Sequence, residues 1–165
     1  MPLRSARLAA LPLFANLTLA ELAELSRHVV LGHAPARTTL IGEGQKHSPP
    51  LYVLRRGRAI VRKRGPDQRN HDLSELHAPA VFGEIDVMAR RPPLSSVCAL
   101  TDVTYLMLPA AAIATLCAGA STSILKVLTN LTEVLRSRSR LLEPNRLQGQ
   151  HLGGMQRDLY NGWTY

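Results

Sequence analysis

Four side chains able to ligate a metal or move a proton, His71, Asp72, Glu75 and His77, lie close together in this chain. Their spacing does not set two histidines one helical turn apart, and no cysteine accompanies them. They therefore read as a polar surface loop rather than a metal centre. The chain also lacks a G-x-S-x-G nucleophile elbow, a Walker loop and a dinucleotide fingerprint. Residue chemistry gives catalysis no support, so a non-enzyme with no metal and no cofactor is expected.

A second group is cationic. Arg55, Arg56, Arg58, Arg62, Lys63 and Arg64 cluster around one expected hairpin, and Arg136, Arg138 and Arg140 follow on an expected helix. With a net charge of +8, these positions are either solvated faces or a surface for an acidic partner, a membrane or a nucleotide phosphate. Aromatic residues make up only 4% of the chain and do not interleave the basic runs, which argues against a base-stacking platform for nucleic acid.

The elements that must position these groups follow from periodicity. At 165 residues and 45% hydrophobic content the chain suits one domain with an appendage. Thr18-Leu19-Ala20-Glu21 is a capping box, and Leu19, Leu22, Ala23 and Leu25 continue it as an amphipathic helix to about His28. Short strands are expected at Val29 to Leu31, Thr38 to Ile41, Leu51 to Leu54, Ala59 to Val61 and Val97 to Met107. Gly32, Gly44, Gly57 and Gly65 stand between them at expected turns, with Gly65-Pro66-Asp67 at a hairpin tip. Many short strands with glycine turns predict a mainly β fold with flanking helices, a sandwich, barrel or jelly roll.

Past Pro109 the period becomes helical, first over Ala110 to Cys117 and then from Ser121 or Thr122 to Glu143. Ile124, Leu128, Leu131, Leu135, Arg138 and Leu142 have the 4-3-4-3-4 spacing of a two-stranded coiled-coil seam, which points to a homodimer. Alternatively this is one amphipathic helix packed on its own domain, and a second set, Val127, Val134 and Leu141, could face the β domain. The tail from Asn145 to Tyr165 reads as loop or disorder by composition, with Tyr160, Trp163 and Tyr165 at its end. Cys98 and Cys117 lie in apolar surroundings and read as buried thiols in a reducing compartment, so a cytoplasmic location is expected. Arg4 and Arg7 before Leu8 to Ala15 faintly resemble a targeting segment, but Pro12 and Asn16 interrupt the run. No stretch approaches the roughly 20 apolar residues of a membrane span.

The stretch Phe82-Gly83-Glu84-Ile85-Asp86-Val87-Met88-Ala89-Arg90-Arg91-Pro92-Pro93-Leu94-Ser95 resembles the phosphate-binding cassette of cyclic-nucleotide-binding domains, F-G-E, a short helix, then P-R-[AST]-A. Leu11-Pro12-Leu13-Phe14 with Leu17, Leu40-Ile41-Gly42-Glu43-Gly44, Leu51-Tyr52-Val53-Leu54 with Gly57, and Val97 to Leu100 leading into Leu106-Met107-Leu108-Pro109 are its other landmarks, in family order. The resemblance spans about residues 11 to 143. It implies a double-stranded β-helix over residues 11–120, a dimerisation helix over 121–143 and a tail over 144–165.

It also implies a stand-alone regulatory module that binds cyclic AMP, cyclic GMP or another phosphate-bearing small ligand and signals through its C-terminal helix. Gly83 would let the backbone approach the ligand, with Ile85 beside it, and Glu84 would accept the ribose hydroxyl. Ser95 or Ser96 would offer a hydroxyl near phosphate or base, and Ser139 would lie near the purine. Pro93 departs from the pattern, because it stands where the family has its phosphate-clamping arginine and it has no donor at all. A charge-assisted hydrogen bond contributes about 1.5–3 kcal/mol, so its loss lowers affinity at least ~10–100-fold. Either Arg90 or Arg91 replaces that guanidinium, or Gly-Glu persists as a structural turn in a domain that serves as a protein-interaction scaffold. The helix-turn-helix module of the catabolite-activator relatives has no room in the roughly twenty residues after Glu143, so sequence-specific DNA binding is not expected. Any protein partner would be engaged in trans.

Overall fold

Apolar alternation punctuated by glycine and proline folds into eight strands, β1 (Val30–Ala34), β2 (Thr39–Ile41), β3 (Leu51–Arg56), β4 (Arg58–Arg64), β5 (Asn70–His77), β6 (Ala80–Phe82), β7 (Ser96–Ala99) and β8 (Val103–Leu108). The helices are α1 (Leu19–Ser26), α2 (Glu84–Ala89), α3 (Ala110–Ala118) and α4 (Thr122–Leu142), with a 3-10 turn at Pro12–Phe14. The structure, a computed structural model, describes residues 8–142, and side chains as far as residue 137. The expected tail, 144–165, lies outside the described residues, as do Arg4 and Arg7.

The strands form two antiparallel four-stranded sheets, ordered β1-β8-β3-β6 and β2-β7-β4-β5. This is the jelly roll expected from the sequence. Its interior holds Ala34, Ile41, Tyr52, Leu54, Phe82, Val97 and Val103, all buried. Tyr52 and Phe82 stack with ring centroids 4.8 Å apart, and Tyr105 meets Tyr52 edge-on at 5.3 Å. Such aromatic pairs stabilise by about 0.5–1.5 kcal/mol beyond their buried area. The Tyr52 hydroxyl donates to the Leu40 carbonyl at 3.2 Å, and burial raises its pKa, with Tyr105 adding to the effect.

The structure corrects several expectations. His71, Asp72, Glu75 and His77 lie on β5, a strand and not a loop. That strand sits at the edge of its sheet with a largely exposed side-chain pattern, so no apolar alternation marked it. What makes it a strand is its ladder with β4, from Arg58↔His77 to Arg64↔Asn70. Gly32 is not in a turn either. It lies within β1, where the Tyr105 ring occupies the space a Cβ would need. Cys98 is only half-buried and Cys117 is exposed, on a helix whose inward positions are Ile113 and Leu116.

The capping box forms as expected. Thr18 Oγ1 accepts the Glu21 N–H at 3.3 Å, while Glu21 accepts the Thr18 N–H at 2.7 Å. Helix α4 crosses between two compact units, the first ending at Leu131 and the second beginning at Thr132. Within the first unit Ile124, Val127 and Leu131 are all buried. The upper part of the expected dimer seam is therefore taken up by the chain's own domain. Seam and second set share one inward face there, because spacings of three and four return to the same side of a helix. Leu125, next in sequence to Ile124, is 52% exposed.

Candidate functional site

Strand β6 delivers the cassette. It pairs with β3, Tyr52 opposite Phe82, so the chain leaves the edge of that sheet directly into Gly83. Gly83 has φ +79°, a left-handed conformation, and a Cβ there would lie 2.5 Å from the Pro50 carbonyl oxygen. Only glycine meets both demands. The left-handed turn starts α2, whose first hydrogen bond runs from the Val87 N–H to the Gly83 carbonyl at 3.1 Å.

Glu84 follows at 6% exposure, one of only two buried polar or charged side chains among the described residues, and it is engaged within the domain. A carboxylate rarely sits this deep unless hydrogen-bonded or paired. Ile85 beside it is 52% exposed. Arg90 ends the helix in a left-handed conformation, φ +51°, and its side chain is exposed. Arg91 is held by its own cassette: its N–H donates to the Asp86 carbonyl at 3.2 Å, and its Nε lies 3.4 Å from Asp86 Oδ1. The guanidinium that was to replace the family's arginine is thus anchored to Asp86, five residues back along the chain.

Pro93 is fully buried, and its carbonyl accepts the Gly44 N–H at 2.8 Å. The position that would carry a cation is an apolar plug whose main chain ties the cassette to the β2–β3 loop. Leu94 is 52% exposed and Ser95 is half-buried. Ser96 opens β7, and its Oγ accepts the Glu43 N–H at 3.0 Å. Glu43 in turn accepts the Arg64 N–H at 2.8 Å. The Ser96 oxygen therefore serves the framework as an acceptor and keeps its proton free to donate. Ser139 belongs to the second unit, and its side chain lies outside the described residues.

The expected residues thus divide into three sets. Gly83, Glu84, Ile85, Arg90 and Arg91 come together on the cassette, Ser95 and Ser96 adjoin it at the start of β7, and Ser139 is not placed among them. A cavity of about 10 Å³ lies elsewhere, against Leu13, Phe14, Val53 and Leu106, and its lining is apolar. That is room for one water at most, with no polar partner to hold it.

Periodicity did not reveal a polar strip joining α1 to the start of α4. Glu24 Oε2 accepts from Ser121 at 2.8 Å and from the fully buried Ser123 at 2.6 Å. Lys126 donates to Glu21 at 2.8 Å and to the Asn16 carbonyl at 3.2 Å. Asn130 donates to the carbonyls of Leu13 and Ala15. The Lys126 contact, aided by the Thr18 N–H, lowers the Glu21 pKa to about 2. The Ser123 and Ser121 hydroxyls lower that of Glu24.

Solved structures share this fold. A cyclic nucleotide-binding domain from Methylobacillus flagellatus KT aligns at a TM-score of 0.71 and 24% identity, covering 86% of this chain and 79% of that one. The N-terminal domain of a transcriptional regulator from Streptomyces coelicolor A3(2) aligns at 0.63 and 25% identity, covering 79% and 93%. The regulatory domain of Toxoplasma gondii protein kinase A, solved with cyclic AMP, aligns at 0.64 and 16% identity, covering 79% and 48%. No curated protein sequence matches the chain. The family model described as the cyclic nucleotide-binding domain matches residues 31–119, which run from β1 through the cassette to the end of α3. With the roll, the left-handed Gly83 turn and that match in agreement, the chain belongs to the cyclic nucleotide-binding domain family.

Proposed function

We propose that this chain is a cytoplasmic regulatory module that binds a cyclic nucleotide, or a related phosphate-bearing small ligand, at the Gly83–Glu84 cassette and signals through α4. The observation that carries this reading is the cassette turn itself. Gly83 still brings its main chain against Pro50 in a left-handed turn, and a carboxylate, Glu84, is still buried directly after it. Helix α4 suits the output role, because the polar bonds of its first turns can exchange partners when the roll takes up ligand. A homodimer through the lower part of α4, around Leu135, completes the proposal.

The second reading, a protein-interaction scaffold that no longer binds nucleotide, is favoured by Pro93. Its side chain is buried and its carbonyl serves the framework, so it offers a phosphate nothing.

Calorimetric titration with cyclic AMP, cyclic GMP and cyclic dinucleotides separates the two. Saturable binding that Glu84→Ala abolishes supports the sensor. Heat-silent titrations with every one of these ligands leave the scaffold. For the dimer, removing α4 would uncover the buried Ile124, Val127 and Leu131, so light scattering of Leu135→Glu is the cleaner measurement.

A further inference from the structure

Strand β4 turns its basic side chains to two different sides of the roll. Ala59 belongs to the core and Val61 packs against it, so odd-numbered positions face the interior. The even-numbered Arg58 and Arg62 face outward, where Glu75 and Asp72 pair with them at 2.9 and 2.6 Å. The register of β4 with β7 runs unbroken from Ala59↔Ala99 to Arg62↔Ser96. The alternation therefore carries on to Lys63, which follows Val61 to the interior side, next to the chain that enters β7 at Ser95.

Lys63 is partly buried, and its side chain has no ion pair or hydrogen bond among the described residues. Its cross-strand neighbour His71 is occupied with Asp67, at 3.0 Å. Glu43, a carboxylate at this end of the roll, accepts the Arg64 N–H instead. One rung deeper lies the row Ile41, Val97 and Val61. A Cβ added at Gly83 would lie 3.1 Å from Ile41 Cδ1, so the row ends at the cassette. An ammonium on a four-carbon stem, one step outside an apolar row and in no ion pair among the described residues, attracts an anion that comes within its reach.

We infer that Lys63 is the cation that holds the anionic group of the ligand, reaching it from the β4 wall in place of the cassette arginine that Pro93 displaces. The inference rests on the nucleotide-binding reading given above. Arg58 and Arg62 pair outward with Glu75 and Asp72, so Lys63 is the basic side chain that β4 turns to the inward side of this hairpin.

Calorimetry with cyclic AMP tests it on the full chain, with circular dichroism to show that each variant is folded. Lys63→Ala should weaken binding at least about tenfold, Lys63→Arg should retain it, and the outward Arg62→Ala should stay within about twofold of wild type. Raising salt should weaken wild type more than Lys63→Ala. If Lys63→Ala binds like wild type while Glu84→Ala does not bind, the inference is wrong and the nucleotide reading stands. If the wild-type chain binds none of cyclic AMP, cyclic GMP and the cyclic dinucleotides, both fall together.

Discussion

Around the cassette the polar contacts shown run mainly through main-chain atoms: the Gly44 N–H to the Pro93 carbonyl, the Val87 N–H to that of Gly83, the Arg91 N–H to that of Asp86. Between α1 and α4 they run between side chains, from Ser121 and Ser123 to Glu24 and from Lys126 to Glu21. The contrast explains how this family member can lose a signature residue and keep its fold. A main-chain framework tolerates any side chain whose backbone angles fit, so proline can stand at position 93 and still present its carbonyl to Gly44. A side-chain framework depends on chemical identity, and each of its members is exposed to substitution.

The sharpest way to break that contrast is at Gly83, where the backbone itself makes the demand. If Gly83→Ala keeps φ near +79°, its Cβ is also pushed into the Pro50 carbonyl. The expected loss is about 2–4 kcal/mol, from the left-handed penalty and the overpacking together. Urea denaturation measures it, and a loss under about 1 kcal/mol would show that the turn relaxes and the framework is not main-chain. Pro93→Arg probes the same region from the opposite side. If the carbonyl is what position 93 supplies, arginine keeps the Gly44 bond and adds a donor. Affinity for cyclic AMP should then rise about tenfold or more, at some loss of stability because the Pro93 side chain is buried. Unchanged affinity would mean that the guanidinium cannot reach the ligand.

In the polar strip, Ser123→Ala removes a buried hydroxyl that donates to Glu24 at 2.6 Å. Hydrogen bonds to charged groups contribute about 1.5–3 kcal/mol, so the variant should unfold at distinctly lower urea. Glu21 sharpens the comparison by pH. Its folded pKa, about 2, lies below the ordinary 4.5, so its contribution is full above that ordinary value and fades as pH falls toward about 2. Lys126→Met removes the largest cause of the shift. Wild type should therefore exceed the variant in melting temperature at pH 6, and the gap should narrow steadily from about pH 4.5 downward. A gap that stays constant to pH 2 would assign the Lys126 effect to packing and not to charge.

The roll, the capping box, the cassette and the long helix were legible because each leaves a local mark: alternation, a Thr-x-x-Glu spacing, a Phe-Gly-Glu turn, a period of 3.6. Strand β5 was not legible, because an exposed edge strand needs no apolar alternation and only its ladder with β4 defines it. The inward face of α4 stayed open because heptad spacing does not say whether a partner helix or the chain's own core will cover it. Ile124 and Leu131 are covered by the core. The anchoring of Arg91 on Asp86 and the reach of Glu24 to Ser123 were hidden for different reasons. The first follows from how a six-residue helix closes, and the second joins residues far apart in sequence.

Burial is what should separate the Ser123–Glu24 bond from chemically similar contacts elsewhere, and the outer face of the hairpin supplies the control. Arg58 and Glu75 form a hydrogen-bonded ion pair at 2.9 Å, as short as those of the strip, but their side chains are 52% and 34% exposed. Water already solvates both groups, and holding two long side chains together costs conformational entropy. Such pairs contribute about 0–1 kcal/mol. The Arg58 main chain would be unaffected by truncation, since its N–H bonds to Thr101 Oγ1 at 3.0 Å and its register with His77 is set by the ladder. Arg58→Ala should therefore shift the urea midpoint least of all these changes, and added salt should erase even that shift. If it destabilises as much as Ser123→Ala does, exposure is not what divides the two sets, and the hairpin's charges hold the roll together.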